Sequence, residues 1–404
     1  MGIPLFTDKP SNLALAQNAL SIAQRIYNPQ GLRRWAAALS NVDTVVPTIW
    51  CAGDSLVWGT GFDGTNNNTD EAGAIVKSWP GRLQQLFARH FGNDCGYIGA
   101  GSVATDSRGT LVNATSASTS IGALGKTVTS TGSGSVTFAV PACTDLDIIY
   151  MSANAENGQP TSGNFAYEVD SGGEVAQGGA EAFAYRVKAV TGLTKTTHTV
   201  AFRGKNTNLA FCAGLRYKST PGVVVGRFGR PGWTSSDILG LAPQNPLSAA
   251  GQARVLKAFG MGSPNLVIIL LGYNDWGQQE VSGYLTTPAV YKTNIQAMVT
   301  EVVNAGGCVL LVGNPDSPSV STPGPAAWTD YWKAAKEVAD ENDHVSQVLM
   351  SDINGTYTEA LALGLTNSGS VHQSAKGYAH FARGLFNLLM SQAVLAETPP
   401  LWNG

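Results

Sequence analysis

Charge is scarce in this chain. Asp, Glu, Lys and Arg make up 13% of the 404 residues, about half of the ~25% usual in soluble domains. With 25 basic and 28 acidic residues the net charge is -3, and there is no Lys/Arg run or RNA-binding aromatic motif. The electrostatic footprint of a polyphosphate partner is therefore missing, which excludes nucleic acid. Long apolar runs are missing too: no stretch approaches the ~20 residues that cross a bilayer. Met1 to Pro10 has neither the basic nor the apolar region of a secretory signal, so no signal peptide is expected. The five cysteines, Cys51, Cys95, Cys143, Cys212 and Cys308, are odd in number and contain no C-x-x-C pair, which argues against a disulfide framework. His90, His198, His344, His372 and His380 form no H-x-x-x-H or H-E-x-x-H array, so neither a metal nor another cofactor is expected.

What the chain does have is apolar content, 43%, together with 47 glycines and many serines and threonines. That is enough to fill sizeable cores beneath an uncharged, hydroxyl-rich surface, as in many extracellular or virion proteins. Residues 1–43 read as an N-terminal helical segment. Within it, Ser11 to Tyr27 is a helix behind Pro10, with one apolar stripe of Leu13, Ala16, Leu20, Ala23 and Tyr27 and a second of Leu15, Ala19, Ile22 and Ile26. An arc that wide needs more than one neighbour. Two packings are open: on the chain's own domain together with Leu32 to Leu39, or against copies of itself in a homo-oligomer such as a trimer. Arg33 and Arg34 read as a solvated face.

Residues 44–101 read as a first βα unit, with a strand over Val45 to Ala52 and a helix over Pro80 to Phe91. The texture then changes. Residues 102–219 carry turn signals about every ten residues, and strand-like runs recur at Ser135 to Val140, Leu146 to Met151, Phe165 to Val169, Ala182 to Val190, Thr197 to Phe202 and Leu209 to Tyr217. Short strands at that spacing predict an inserted antiparallel β-sandwich. From 220 to 404 strands and helices alternate: Val223 to Val225, Leu266 to Leu271, Val309 to Val312 and Val345 to Met350 as strands, separated and closed by helices. This alternation predicts a parallel sheet with helices on both faces, a three-layer α/β/α domain split by the insert.

Four blocks carry the chemistry. The first strand ends at Gly53-Asp54-Ser55, where Gly53 offers positive φ and close backbone approach and Ser55 sits at a carboxyl end, the ligand-binding side of such sheets. Arg230-Pro231-Gly232-Trp233-Thr234-Ser235-Ser236-Asp237 follows the second strand, Gly272-Tyr273-Asn274-Asp275 follows the third, and Ser370-Val371-His372 precedes the closing helix. A tetrahedral intermediate needs donors aimed at one oxygen. A glycine lets the backbone face that oxygen, and an asparagine amide donates without a competing charge. Trp58, Trp233, Tyr273 and Trp276 lie beside these motifs and suit a sugar face or an acyl chain as a substrate-binding rim, or else the core.

In order, spacing and local structure the four blocks resemble the SGNH (GDSL-type) hydrolases, over about two-thirds of the chain. The resemblance implies Ser55 as nucleophile, His372 as its base, and an oxyanion held by the backbone N–H groups of Ser55 and Gly232 and the amide of Asn274. It implies an ester hydrolase that works without a cofactor. One departure stands out: the family's aspartate three residues before the histidine is Gly369 here. Three readings are open: a serine–histidine dyad oriented by a backbone carbonyl, a carboxylate from another loop, with Asp316 and Asp352 the candidates, or an impaired site. The β-sandwich insert and N-terminal helix further resemble SGNH-type minor tail proteins of bacteriophages. That architecture implies a virion or extracellular location, other tail proteins as partners, and an insert rimming the catalytic face. There an acylated cell-surface polysaccharide or glycolipid would be the partner, and His198, Tyr167 and Tyr185 would either meet its sugars or pack within the sheets. The competing function is a receptor-binding or structural tail protein that keeps the fold without the chemistry.

Overall fold

The computed structural model describes residues 26–65, 71–99, 109–112, 115–117, 127–130, 135–151, 165–177, 185–204, 210–242, 249–278, 286–315 and 326–397. Along the chain the strands are β1 (Thr48–Gly53), β2 (Gly96–Gly99), β3 (Gly109–Val112), β4 (Thr115–Ala117), β5 (Thr127–Ser130) and β6 (Ser135–Cys143). Then come β7 (Asp145–Met151), β8 (Phe165–Val169), β9 (Val175–Gln177), β10 (Tyr185–Val190), β11 (Thr196–Gly204) and β12 (Ala210–Lys218). The last four are β13 (Val224–Gly229), β14 (Leu266–Leu270), β15 (Cys308–Gly313) and β16 (Val345–Leu349).

β13, β1, β14, β15 and β16 form a parallel sheet in that order. Its central strands are apolar at nearly every position because both faces are covered, and β1, β14 and β15 are buried throughout. Successive side chains point to opposite faces. Trp50, Val267 and Ile269 enter one core with Phe259, Tyr291 and Val338. Ile49, Cys51 and Ile268 enter the other with Leu83, Phe87, Tyr378 and Phe381. Each large side chain so buried contributes about 1.5–3 kcal/mol.

The first strand begins at Thr48, later than the pattern predicts, and Val45 is exposed. Pro47 has no N–H to give a ladder. The Thr48 N–H bonds the side chain of Asn265, whose own N–H returns to the Thr48 carbonyl. Gly53 is not a positive-φ residue; it is needed for space. A Cβ there would lie 2.1 Å from the Leu270 carbonyl oxygen and 2.6 Å from Val57 Cγ2. Backbone cannot yield as a side chain does, so Gly53→Ala should cost at least the ~1–3 kcal/mol of an overpacked core. Urea unfolding checks this: an unchanged midpoint would show that the turn has slack.

The insert is a sandwich of two antiparallel sheets. One has the order β10-β7-β12-β5-β4 with β2 also paired to β12, and the other β3-β6-β11-β8-β9. Val136, Phe138, Leu146, Ile148, Phe165, Val200, Phe202 and Leu215 fill the space between them. Because β2 pairs with β12, the sandwich begins before residue 102, in a Gly-flanked strand too short to read from its pattern.

The insert is anchored at the end of the parallel sheet away from Ser55. Buried Arg216 bonds Thr48 Oγ1 at 3.1 Å and the Gly262 carbonyl at 2.9 Å, at and before the amino ends of β1 and β14. Asp147 neutralises it, 2.8 Å from Arg216 and 2.7 Å from Lys218. Tyr97 packs edge-on against Trp50, with 5.3 Å between ring centroids. These contacts do not place the base of the insert on the catalytic rim, in contrast to the expectation from sequence. His198 is buried, with Nδ1 2.6 Å from Asp170 and Nε2 near the carbonyls of Cys143 and Thr194. It ties loops together, and Tyr167 is likewise in the sandwich core.

Most of the predicted N-terminal helix and its self-association lie outside the described residues. From Ile26 onward the chain packs on the parallel domain. Tyr27 bridges to Gln347 at the β16 edge, and the Trp35 indole of the helix Arg33–Ser40 donates to the Leu389 carbonyl. Arg34 is not solvated as expected. It donates to the carbonyls of Val303 and Gly307, at the end of the helix Pro288–Asn304, where a cation satisfies terminal carbonyls and the helix dipole together. No helix among the described residues is long and apolar enough to cross a membrane.

Candidate active site

Three of the four blocks meet because their strands are neighbours. β13, β1 and β14 lie side by side, so the loops leaving their carboxyl ends carry Gly232, Ser55 and Asn274 to one edge at the ~4.8 Å interval between strands. Ser55 opens the short helix Ser55–Trp58, whose N-cap Asp54 accepts the Leu56 N–H at 2.9 Å. An N-cap carboxylate satisfies a helix-start donor and holds the turn that aims the serine.

His372 arrives from far along the chain. Its loop is fixed to the segment after Ser55: Asn367 Nδ2 donates to the Gly61 carbonyl at 2.9 Å, and Tyr378 Oη to the Thr60 carbonyl at 2.7 Å. Gly61 has φ +91°, and a Cβ there would lie 2.6 Å from the Cβ of His372; only glycine admits both. His372 Nε2 then lies 2.9 Å from Ser55 Oγ. Ser55 is 7% exposed. Burial pushes the imidazole down to about 4, so the ring is neutral and able to accept a proton at ordinary pH. On its other side Nδ1 is 3.2 Å from the hydroxyl of Ser370.

Asn274 follows Gly272, a left-handed N-cap at φ +119°. Its amide nitrogen is 3.0 Å from the Trp233 carbonyl and 3.5 Å from Asp54 Oδ2, so one N–H is well bonded and the other is only weakly held. Gly232 has φ +80°, and a Cβ there would meet nothing within 4 Å. Glycine is required for its conformation, and its surroundings are open.

A second network, missed at the sequence level, joins the oxyanion loops. Fully buried Asp275 accepts the Ser235 N–H at 3.0 Å and the Ser235 hydroxyl at 2.6 Å, and Asn294 donates to that hydroxyl at 2.9 Å. Burial pushes both Asp275 and Asp54 up to about 7. Asp275 and Ser235 both belong to the blocks read from sequence; their pairing across 40 residues left no local trace.

The candidate carboxylates fare differently. Asp352 accepts the Leu349 N–H at 3.1 Å at the start of the helix Met350–Asn354, and this local bond, rather than His372, accounts for its conformation. Asp316 lies outside the described residues. Of the four aromatics, Trp58 and Trp233 are half-buried beneath the guanidinium groups of Arg227 and Arg230, each 4.4 Å from the ring centroid. Tyr273 is half-buried between Trp276 and Trp328. Trp276 is only 8% exposed and belongs to the core, which removes it from the expected rim.

The low imidazole value gives a signed expectation. The competent form is neutral His372, present above about 4 and lost as pH falls through it. For esterase turnover, kcat/KM, which reports the free enzyme, should stay flat down to about pH 5 and halve near 4. A midpoint near the ordinary 6.5 would show that the ring is solvated. Asn274→Ala should lower kcat by about 10²–10³, the usual loss for one oxyanion donor, measured with a chromogenic acetyl ester. A change under about threefold would remove it from that role.

No curated protein matches the sequence. Among solved structures, the chain is similar to a peptidoglycan O-acetylesterase at TM-score 0.63 and 15% identity, over 90% of this chain and 96% of that one. A salicylyl-acyltransferase from a tetracycline biosynthetic pathway aligns at TM-score 0.32 and 15% identity, over 72% of this chain and 95% of the other. A family 35 carbohydrate-binding module from Clostridium thermocellum aligns at TM-score 0.24 and 18% identity, over 30% of this chain and 98% of the module. The last two scores are too low to define a shared fold. Residues 191–380, a span that holds Gly232, Asn274 and His372, match the model of the GDSL-like lipase/acylhydrolase family, and the described residues form a mixed α/β fold with a parallel central sheet and an inserted β domain, consistent with the SGNH fold.

Proposed function

We propose that this chain is a serine ester hydrolase that removes acyl groups, acetyl foremost, from a cell-surface glycan. The observation that carries the proposal is Ser55 Oγ 2.9 Å from Nε2 of a neutral histidine. His372 takes the hydroxyl proton as Ser55 attacks the ester carbonyl. The oxyanion forms among the Ser55 and Gly232 N–H groups and the amide of Asn274. The protonated histidine then gives its proton to the departing alcohol, and water, activated by the same ring, releases the acid. The family match and the fold shared with a peptidoglycan O-acetylesterase support this chemistry and this substrate class. Acetate release from O-acetylated peptidoglycan and from O-acetylated surface polysaccharides tests it. Release from neither, with simple esters also untouched, would reject it.

A second reading keeps the fold without the chemistry. It is favoured by glycine at 369, in the place of the family's aspartate. A fluorophosphonate probe separates the two, because only an activated Ser55 is labelled. The narrowest part of the proposal, a bacteriophage tail component that contacts its host, is supported by architecture alone. Mass spectrometry of purified virions tests it, and absence of the chain from the particle would end it.

A further inference from the structure

We propose that Ser370 is the positioning residue of this site: its hydroxyl holds Nδ1 of His372 and thereby presents Nε2 to Ser55. This deepens the acyl-transfer reading and rests on it. Ser370 Oγ lies 3.2 Å from His372 Nδ1 and 3.1 Å from the His372 N–H. The side chain is sheltered, with Ser370 9% exposed. Its backbone is fixed as well: the Ser370 N–H donates to the Asn367 carbonyl at 3.2 Å, and Thr366 Oγ1 bonds the carbonyls of both Ser370 and His372. Asn367 in turn is tied to Gly61 beside the nucleophile. The hydroxyl is thus held in a loop that is itself held against the Ser55 segment.

The chemistry follows from donor and acceptor counts. To accept the Ser55 proton, Nε2 must be bare, so the neutral ring must carry its hydrogen on Nδ1. A hydroxyl oxygen has two lone pairs, and here they face the Nδ1–H and the His372 N–H, leaving the hydroxyl hydrogen to point elsewhere. Ser370 therefore selects the same tautomer that a triad carboxylate selects. It differs in being neutral, so it does not favour the imidazolium as an anion would. Position 369 is built differently: its N–H donates to Tyr357 Oη at 2.8 Å, φ is +68°, and a Cβ would meet nothing within 4 Å.

The test uses the full chain as wild type and as Ser370→Ala, Ser370→Thr and Asp316→Asn. Ser370→Ala should lower kcat at least about tenfold, short of the ~10⁴-fold that follows loss of a triad carboxylate, with KM unchanged. Ser370→Thr, which keeps the hydroxyl, should restore activity to within a few-fold of wild type. Equal losses in the alanine and threonine variants would show a structural role only. A collapse in Asp316→Asn with Ser370→Ala near wild type would hand the role to that carboxylate. Nitrogen NMR of labelled histidine reads the same question without turnover: the Nδ1–H tautomer should dominate in wild type and recede in Ser370→Ala. An unchanged tautomer overturns the inference even if esterase activity is confirmed. Absent activity with the expected tautomer shift would instead count against the acyl-transfer reading alone.

Discussion

Ser55→Ala is expected to abolish fluorophosphonate labelling and to lower kcat by about 10⁶, the scale on which a serine hydrolase loses its nucleophile. The substitution removes one hydroxyl, which bonds His372 Nε2. It leaves intact the bonds that shape the turn: the Ser55 carbonyl accepting from Gly59 and Thr60, and Asp54 capping Leu56. Alanine fits a helix start without strain, so the fold and the substrate affinity should survive. A variant that still binds an O-acetylated glycan but does not deacetylate it is the expected product. Residual kcat above about one part in a thousand would mean that another group performs the attack.

His372→Gln is expected to fall by a similar factor, because Ser55 and His372 act as one unit. A hydroxyl at its ordinary pKa is a weak nucleophile, and the base is what makes it competent. Glutamine approximates the volume of the ring and can bond Ser55 but cannot take its proton. Two features separate loss of a base from loss of structure. The double variant Ser55→Ala/His372→Gln should be no slower than either single variant, since removing half of a unit already removes its effect. The acid limb near pH 4 should also vanish, because the group that titrates there is gone. Additive losses, or a limb that persists in the variant, would assign the proton transfer elsewhere.

Much of the fold was legible because it depends on pattern. The apolar runs of β14 and β15 need both faces covered, and that requirement implies helices on each side and a parallel sheet. The strand β8 occupies the predicted residues. Shorter elements fell below what a pattern can carry. β2 has only four residues, two of them glycine, and its place in the sandwich comes from pairing with a strand more than a hundred residues later. From its neighbours in sequence Trp276 was open between rim and core, and a five-residue helix turns it into the core.

By itself the sequence determined which chemistry was available: a serine and an asparagine at strand ends, a glycine at a turn that demands φ near +80°, a histidine before a helix, and no carboxylate three residues before it. Tertiary structure alone decided which of these groups meet. The strand order β13-β1-β14 brings three loops together, and a loop pinned at Gly61 supplies the histidine. It also decided that Asp352 caps its own helix, that the insert is anchored at the amino ends of the sheet, and that a serine hydroxyl faces Nδ1. The reason is physical. Local periodicity fixes which way a side chain points within its own element, whereas hydrogen bonds act over about 3 Å between atoms whose separation along the chain, 317 residues for Ser55 and His372, leaves no local trace.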